Sequence, residues 1–302
     1  MFGLYIHVPF CATRCGYCDF NTYTPTEVET SHETYLRALE AELAKADTSP
    51  ADTVFIGGGT PSLLGAAGLG RIMEMVHTHV GLKPGAEVTT ESNPESTSPE
   101  YFEGLLEAGF TRVSLGMQSA STPVLKVLDR MHTPGRAVAA AKEALDAGFE
   151  HVNLDMIYGT PTETDDDVRA TLDAVLSTGV DHVSAYSLIV EEGTKLGAQV
   201  ARGEVADVDP DDQADKYLLA EELLGAAGYR WYEVSNWARD PQGSGVHRAR
   251  HNVAYWEDQD WWGIGPGAHS HLAGVRFWNA KHPAAYAQRL ATGVTPAVGR
   301  ER

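Results

Sequence analysis

The sequence predicts an α/β protein built on parallel strands, and three observations carry that prediction. Short apolar runs alternate with longer helical stretches from Leu4 to about Val234. Glycines recur where a helix must end just before the next strand, at Gly109, Gly148, Gly179 and Gly228. The apolar runs lie too far apart for tight hairpins, which leaves right-handed parallel crossovers with helices outside the sheet.

In chain order the expected strands are Leu4–Val8, Thr53–Ile56, Glu87–Glu91, Arg112–Leu115, His151–Ile157, His182–Ser187 and Trp231–Val234. Helical periodicity fills the gaps over Ser31–Ala46, Leu69–His79, Pro99–Ala108, Arg136–Ala147, Asp166–Ser177 and Pro210–Ala227. Function in a parallel sheet or barrel collects at the C-terminal strand ends. The loops at that edge are Pro9–Phe20, Gly57–Pro61, Glu91–Pro94, Gly116–Ser119 and Asp155–Thr162. From about Ala238 the pattern changes: Trp, His and Gly are dense, and helix is hard to find before Pro283–Leu290. Residues 236–302 therefore read as structure covering the main sheet of residues 1–235, with Thr295–Arg302 a polar end lacking a buried pattern.

The 302 residues are 43% hydrophobic and 22% charged, an ordinary globular composition. A formal net charge of −19 repels phosphate backbones and anionic lipid, so nucleic acid and membrane surfaces are poor partners. No run approaches the roughly 20 apolar residues of a membrane helix. The N-terminus MFGLYIHVPF lacks a basic region and a small-residue cleavage site, so a cytoplasmic location is expected.

All three cysteines fall in Cys11-Ala-Thr-Arg-Cys15-Gly-Tyr-Cys18, directly after the first strand. An odd number at this spacing suits a metal loop better than a disulfide framework. Three thiolates can hold three irons of a [4Fe–4S] cluster and leave the fourth iron open. The alternative is structural zinc with His7 as fourth ligand, although the usual second C-x2-C knuckle is missing. Gly57-Gly-Gly-Thr-Pro61 fits neither a Walker A loop nor a dinucleotide fingerprint. It suits close backbone approach to a ligand, or a tight strand-to-helix turn.

The cysteine spacing resembles that of the radical S-adenosylmethionine (SAM) superfamily, where the open iron is chelated by the amino and carboxylate groups of SAM. One-electron reduction can then cleave SAM to a 5′-deoxyadenosyl radical. The glycine motif resembles the one that holds the SAM amino group. The likeness narrows with Tyr5-Ile-His-Val-Pro-Phe-Cys11, Cys18-Asp-Phe20, Glu91-Ser-Asn-Pro94, Ser114-Leu-Gly-Met-Gln-Ser119 and Asp155-Met-Ile-Tyr-Gly-Thr-Pro161, all in family order. Together they resemble the branch of oxygen-independent coproporphyrinogen III oxidases (HemN) and the related HemW-type haem chaperones, across essentially the whole chain. That resemblance implies a partial (β/α)6 barrel of parallel strands with a C-terminal closing extension.

It also implies roles. Cys11, Cys15 and Cys18 would hold the cluster, with Tyr5 and Tyr17 packed near it and SAM. Gly58, Gly59 and Thr60 would hold the methionine end, with Glu91, Gln118 and Asp155 as further SAM ligands. Arg130 would neutralise a carboxylate. Each has a plainer reading: Tyr5 as core, Glu91 and Asp155 as helix N-caps, Arg130 as a surface cation. No residue is assigned to catalysis.

Two departures separate this chain from the oxidases, which continue as C-x3-C-x2-C-x-C after an N-terminal extension. Here the last position is Phe20, and Cys11 is reached almost at once. Both features are similar to the HemW type, which implies haem binding and transfer to acceptor proteins. A decarboxylating radical SAM enzyme is the alternative. His251-Asn-Val-Ala-Tyr-Trp256 resembles the H-N-x-x-Y-W motif tied to haem in that branch, and Gly263-Ile-Gly-Pro-Gly-Ala-His269 follows it. His251, Tyr255 and His269 are the haem candidates, with Arg248 and Arg250 for propionates. The competing reading makes His251 and Asn252 backbone hydrogen-bonders and Tyr255 and Trp256 core anchors. Relatives usually continue into a small C-terminal helical domain, expected to be absent or truncated here. A homodimer is compatible with this reading.

Overall fold

A computed structural model describes all 302 residues. Six parallel strands run side by side in chain order: β1 (Phe2–Val8), β2 (Ala51–Gly58), β3 (Leu82–Ser92), β4 (Arg112–Gln118), β5 (His151–Tyr158) and β6 (His182–Ser187). Each is joined to the next through a helix, as the crossover argument requires. The expected helix ends hold too: Gly109, Gly148, Gly179 and Gly228 all take positive φ, between 82° and 115°.

The strands alternate strictly between two environments. Val113, Leu115 and Met117 of β4, and Val152, Leu154 and Met156 of β5, join one core of 47 buried residues. Their neighbours Arg112, Ser114, Gly116, Asn153 and Asp155 line a cavity on the other face. Helices therefore cover an aliphatic outer face, while the inner face is polar.

Residues from Tyr229 onward extend the sheet at both sides, and it remains open. On one side β8 (Asn236–Arg239) pairs antiparallel with β6, and β7 (Tyr229–Glu233) pairs with β8. The seventh expected strand is thus not a parallel neighbour of β6. On the other side β9 (Asp260–Ile264) pairs parallel with β1, followed by antiparallel β10 (His269–Leu272), β11 (Val275–Asn279) and β12 (Ala297–Glu301). The polar end is therefore an edge strand, whose pairing rests on backbone hydrogen bonds that side-chain pattern does not report. Helix that is hard to find in the sequence before Pro283 is present in the structure, where Arg250–Trp256 forms two turns. So short an amphipathic segment carries little periodicity; its position is set by Glu87, whose carboxylate accepts from the Arg250 and His251 N–H groups.

Buried Glu42, on the helix His32–Leu43, fastens the C-terminal strands to the sheet. It accepts from the Gly265 N–H at 3.0 Å, Asn279 Nδ2 at 2.8 Å and the Tyr286 hydroxyl at 2.5 Å. No helix is long and apolar enough to cross a membrane.

Candidate functional site

The cysteine loop sits at the C-terminal ends of the parallel strands and is pinned from distant parts of the chain. The Gly16 N–H donates to Leu128 O and the Gly16 carbonyl accepts from Leu196 N–H. A Cβ on Gly16 would lie 3.0 Å from Asp129 Cβ, a tight approach that glycine relieves. None of the three cysteines is in a disulfide, and all three line a cavity of about 490 Å3. Thr60 Oγ1 points at Cys11 Sγ from 3.6 Å, and Arg130 Nη1 at Cys15 Sγ from 3.2 Å. Burial raises the Cys11 and Cys18 thiols, partly opposed by the Thr60 hydroxyl and by the Phe20 N–H respectively.

His7, the ligand of the zinc alternative, has both ring nitrogens engaged. Nδ1 meets the Tyr5 hydroxyl at 2.9 Å and Nε2 meets Asn21 O at 2.8 Å. The glycine motif has a cause inside the chain. A Cβ on Gly58 would lie 2.5 Å from the His7 ring, and one on Gly59 2.5 Å from Phe10 O. Those glycines let β2 turn directly beneath the cysteine loop, where Thr60 N–H donates to Phe10 O.

Glu91 stands where two cavities meet, lining both. Its Oε2 accepts from the Gly58 N–H at 2.9 Å. Burial, then the charge of Asp155, pushes it up to about 8, the Gly58 bond acting the other way. Asp155 is not a helix cap; it lies within β5 on the inner face. It accepts from Ser114 Oγ at 3.1 Å and Asn153 Nδ2 at 2.6 Å, and burial raises its carboxyl against those bonds.

Gln118 ends β4 with φ of 68°, a left-handed residue at a break in the β4–β5 register. Non-glycine residues persist in that region where the surroundings over-determine them, often at ligand sites. Arg130 is no surface cation: its guanidinium lines the same cavity and donates to Cys15 Sγ, Gly116 O and His132 Nε2. Tyr17 lines it too and packs with Val124, Leu128 and Leu196.

The larger cavity, about 690 Å3, lies between the cysteine loop and the strands β9 and β10. Tyr5, Tyr255, Trp261 and His269 supply its ring-bearing wall, and Arg14 and Lys281 its cations. His269 stacks on Trp278 at 5.5 Å, and its Nδ1 is buried without a hydrogen-bond partner. His251 is placed differently. Its ring stacks on Phe55, Nδ1 meets Thr53 Oγ1 at 2.8 Å and Nε2 meets the Tyr255 hydroxyl at 2.9 Å. Burial pushes it down to about 3, and it lines neither cavity. Arg250 reaches Gly85 O near the start of β3, away from both cavities, while Arg248 lies over the Tyr232 ring. Asn252 lines the smaller cavity.

Sequence reasoning missed most of the inner wall: Phe55, Thr89, Arg112, Ser114, Asn153, His182 and Ser184. The signal was there in the period-two alternation of RVSLGMQ, HVNLDMIY and HVSAYS.

Comparison with known proteins agrees with this architecture. The radical SAM superfamily model matches residues 5–175. A Mycobacterium tuberculosis protein named heme chaperone HemW is 55% identical over 306 aligned residues, covering all of this chain and 77% of that protein. The HemW of Escherichia coli is 35% identical over 297 residues, with 95% and 75% covered. In structure, coproporphyrinogen III oxidase (HemN) from Escherichia coli aligns with TM-score 0.83 at 24% identity, over 98% of this chain and 70% of that one, which speaks to the fold alone. The chain belongs to the radical SAM superfamily and, within it, to the HemW family.

Proposed function

We propose that this chain is a haem chaperone, binding haem and passing it to acceptor proteins in the cytoplasm. The observation that carries the reading is a pair of cavities meeting at Glu91 and Phe20, beside one exposed cysteine loop. Relatives named heme chaperone at up to 55% identity support it.

The donor sets fit the groups this reading requires. Three unpaired thiols on one loop, backed by Thr60 and Arg130, suit a [4Fe–4S] cluster on Cys11, Cys15 and Cys18. Gly58, Gly59, Thr60, Glu91, Gln118 and Asp155 surround space beside it for SAM. Such a cluster supplies an open iron and one-electron chemistry. Arg130, held by Gly116 O, fixes positive charge at Cys15. Glu91, whose carboxyl is raised by burial and by the charge of Asp155, is a group that a neighbouring amino cation would draw back toward carboxylate.

The larger cavity fits the haem. Its volume is in the range of small-molecule sites, and Tyr5, Tyr255 and Trp261 offer apolar rings to a macrocycle. His269 brings an imidazole to the wall of this cavity. Arg14 and Lys281 give local positive charge for propionates on a chain of net −19. We assign His251 to holding Tyr255 in the cavity wall. Residues 236–302 supply much of that wall, and we treat them as a cover to the sheet of residues 1–235.

The test is transfer. Cluster-reconstituted protein loaded anaerobically with haem is mixed with a haem-free globin, and the globin's spectrum is followed. The reading expects haem to leave at a rate set by this protein. A decarboxylated product from coproporphyrinogen, SAM and an electron donor would instead establish the oxidase alternative.

A further inference from the structure

The opposite edge of the sheet carries a cluster that the haem and SAM reading does not use. His151 is the first residue of β5, Asp181 precedes β6, and His247 lies on the loop entering the helix Arg250–Trp256. Their ligand atoms all lie within 4.8 Å of one another. Asp181 Oδ2 is 2.6 Å from His151 Nδ1 and 2.9 Å from His247 Nδ1.

We propose that His151, Asp181 and His247 form a binding site for a divalent transition-metal ion of the zinc class. Two imidazoles and a carboxylate are a donor set that such ions favour, leaving a fourth position for water. Nitrogen and oxygen donors about 2 Å from a tetrahedral ion stand roughly 3.3 Å apart. To admit it, Asp181 Oδ2 must draw back by about 0.7 Å from His151 Nδ1 and about 0.4 Å from His247 Nδ1.

The surroundings hold the donors in place. The Val152 N–H donates to Asp181 Oδ1 at 2.9 Å, which leaves Oδ2 to the two histidines. Arg112 Nη2 donates to His247 O at 3.1 Å and fixes that loop. The Arg112 charge would oppose a cation, but Glu87 faces it at 3.4 Å. Side-chain exposures of 22% and 33% for His151 and His247 leave a route from solvent. On binding, each imidazole gives up its Nδ1 contact with Asp181 Oδ2 and presents the Nδ1 lone pair to the ion, with the ring proton carried on Nε2. The bound ion would tie β5 and β6 to the segment that carries His251 and Tyr255.

The experiment uses cluster-reconstituted protein dialysed anaerobically against low-micromolar Zn2+, with zinc and iron measured together. One zinc per chain is expected beyond an unchanged iron content, which excludes exchange at the cysteine loop. His247→Ala and Asp181→Asn should each weaken retention by roughly tenfold or more. Zinc should raise the melting temperature of the wild type and not of His247→Ala, whose circular dichroism reports its folding. No zinc in the wild type, or equal retention in both folded variants, would overturn the proposal and leave a hydrogen-bonded tie.

Discussion

The two faces of the parallel strands bury different chemistry, an aliphatic core on one side and a polar cavity wall on the other. On β4 and β5 the outward residues Val113, Leu115, Val152 and Leu154 are fully buried among helices. Their immediate neighbours Ser114, Asn153 and Asp155 face a cavity and bond one another. The outer face gains from burial that any aliphatic packing could supply. On the inner face, hydrogen bonds such as those of Asp155 with Ser114 and Asn153 fix side chains, so that charge and shape are in place before a ligand arrives. Stability and binding are thus separable residue by residue along one strand.

The largest expected effect comes at the rim of the inner face. Cys15→Ala should abolish cluster assembly, read as loss of iron and sulfide after anaerobic reconstitution, while the urea midpoint of the cluster-free protein barely moves. Leu154→Ala inverts that pattern. It empties a fully buried outer position and should cost about 2–5 kcal/mol in urea unfolding. Iron content per folded molecule should stay unchanged.

Asn153→Ala falls between the two. Asn153 joins Ser114, Asp155 and His182, so its removal leaves buried partners unpaired at a cost of about 1–3 kcal/mol. It should also weaken whatever the smaller cavity binds, which Leu154→Ala should not. If Asn153→Ala changed stability alone, the inner face would be merely a polar core.

The smallest effect is a pH dependence. Glu91 is raised from 4.5 to about 8, so the ligand-free folded state holds this proton more tightly than the unfolded chain. Its contribution is complete below pH of about 4.5 and is lost as pH rises through about 8. Glu91→Gln should remove that loss, measured as the difference between wild-type and variant unfolding across the interval.

How much of this was legible depended on whether a feature was local. The cysteine loop, the glycine turn and the six parallel strands are carried by spacing and periodicity within short windows, and all lie where the sequence places them. The C-terminal strands were not legible, because edge pairing such as Trp278 with Gly299 uses backbone groups and leaves no side-chain period. Nor were the contacts that give residues their chemistry. Arg130 meets Cys15 across 115 positions, and Arg112 meets the His247 carbonyl across 135. His251 shows the same limit: its motif was visible, but only the fold reveals both ring nitrogens engaged by Thr53 and Tyr255.

The central claim is that haem occupies the larger cavity with His269 as its imidazole. The most direct measurement is an anaerobic haem titration of cluster-reconstituted wild type, His269→Ala and His251→Ala, followed at the Soret band. The account predicts saturable binding in the wild type, the greatest weakening in His269→Ala, and a smaller one in His251→Ala through displaced Tyr255. Saturable binding that His269→Ala leaves untouched, or no saturable binding at all, would contradict it.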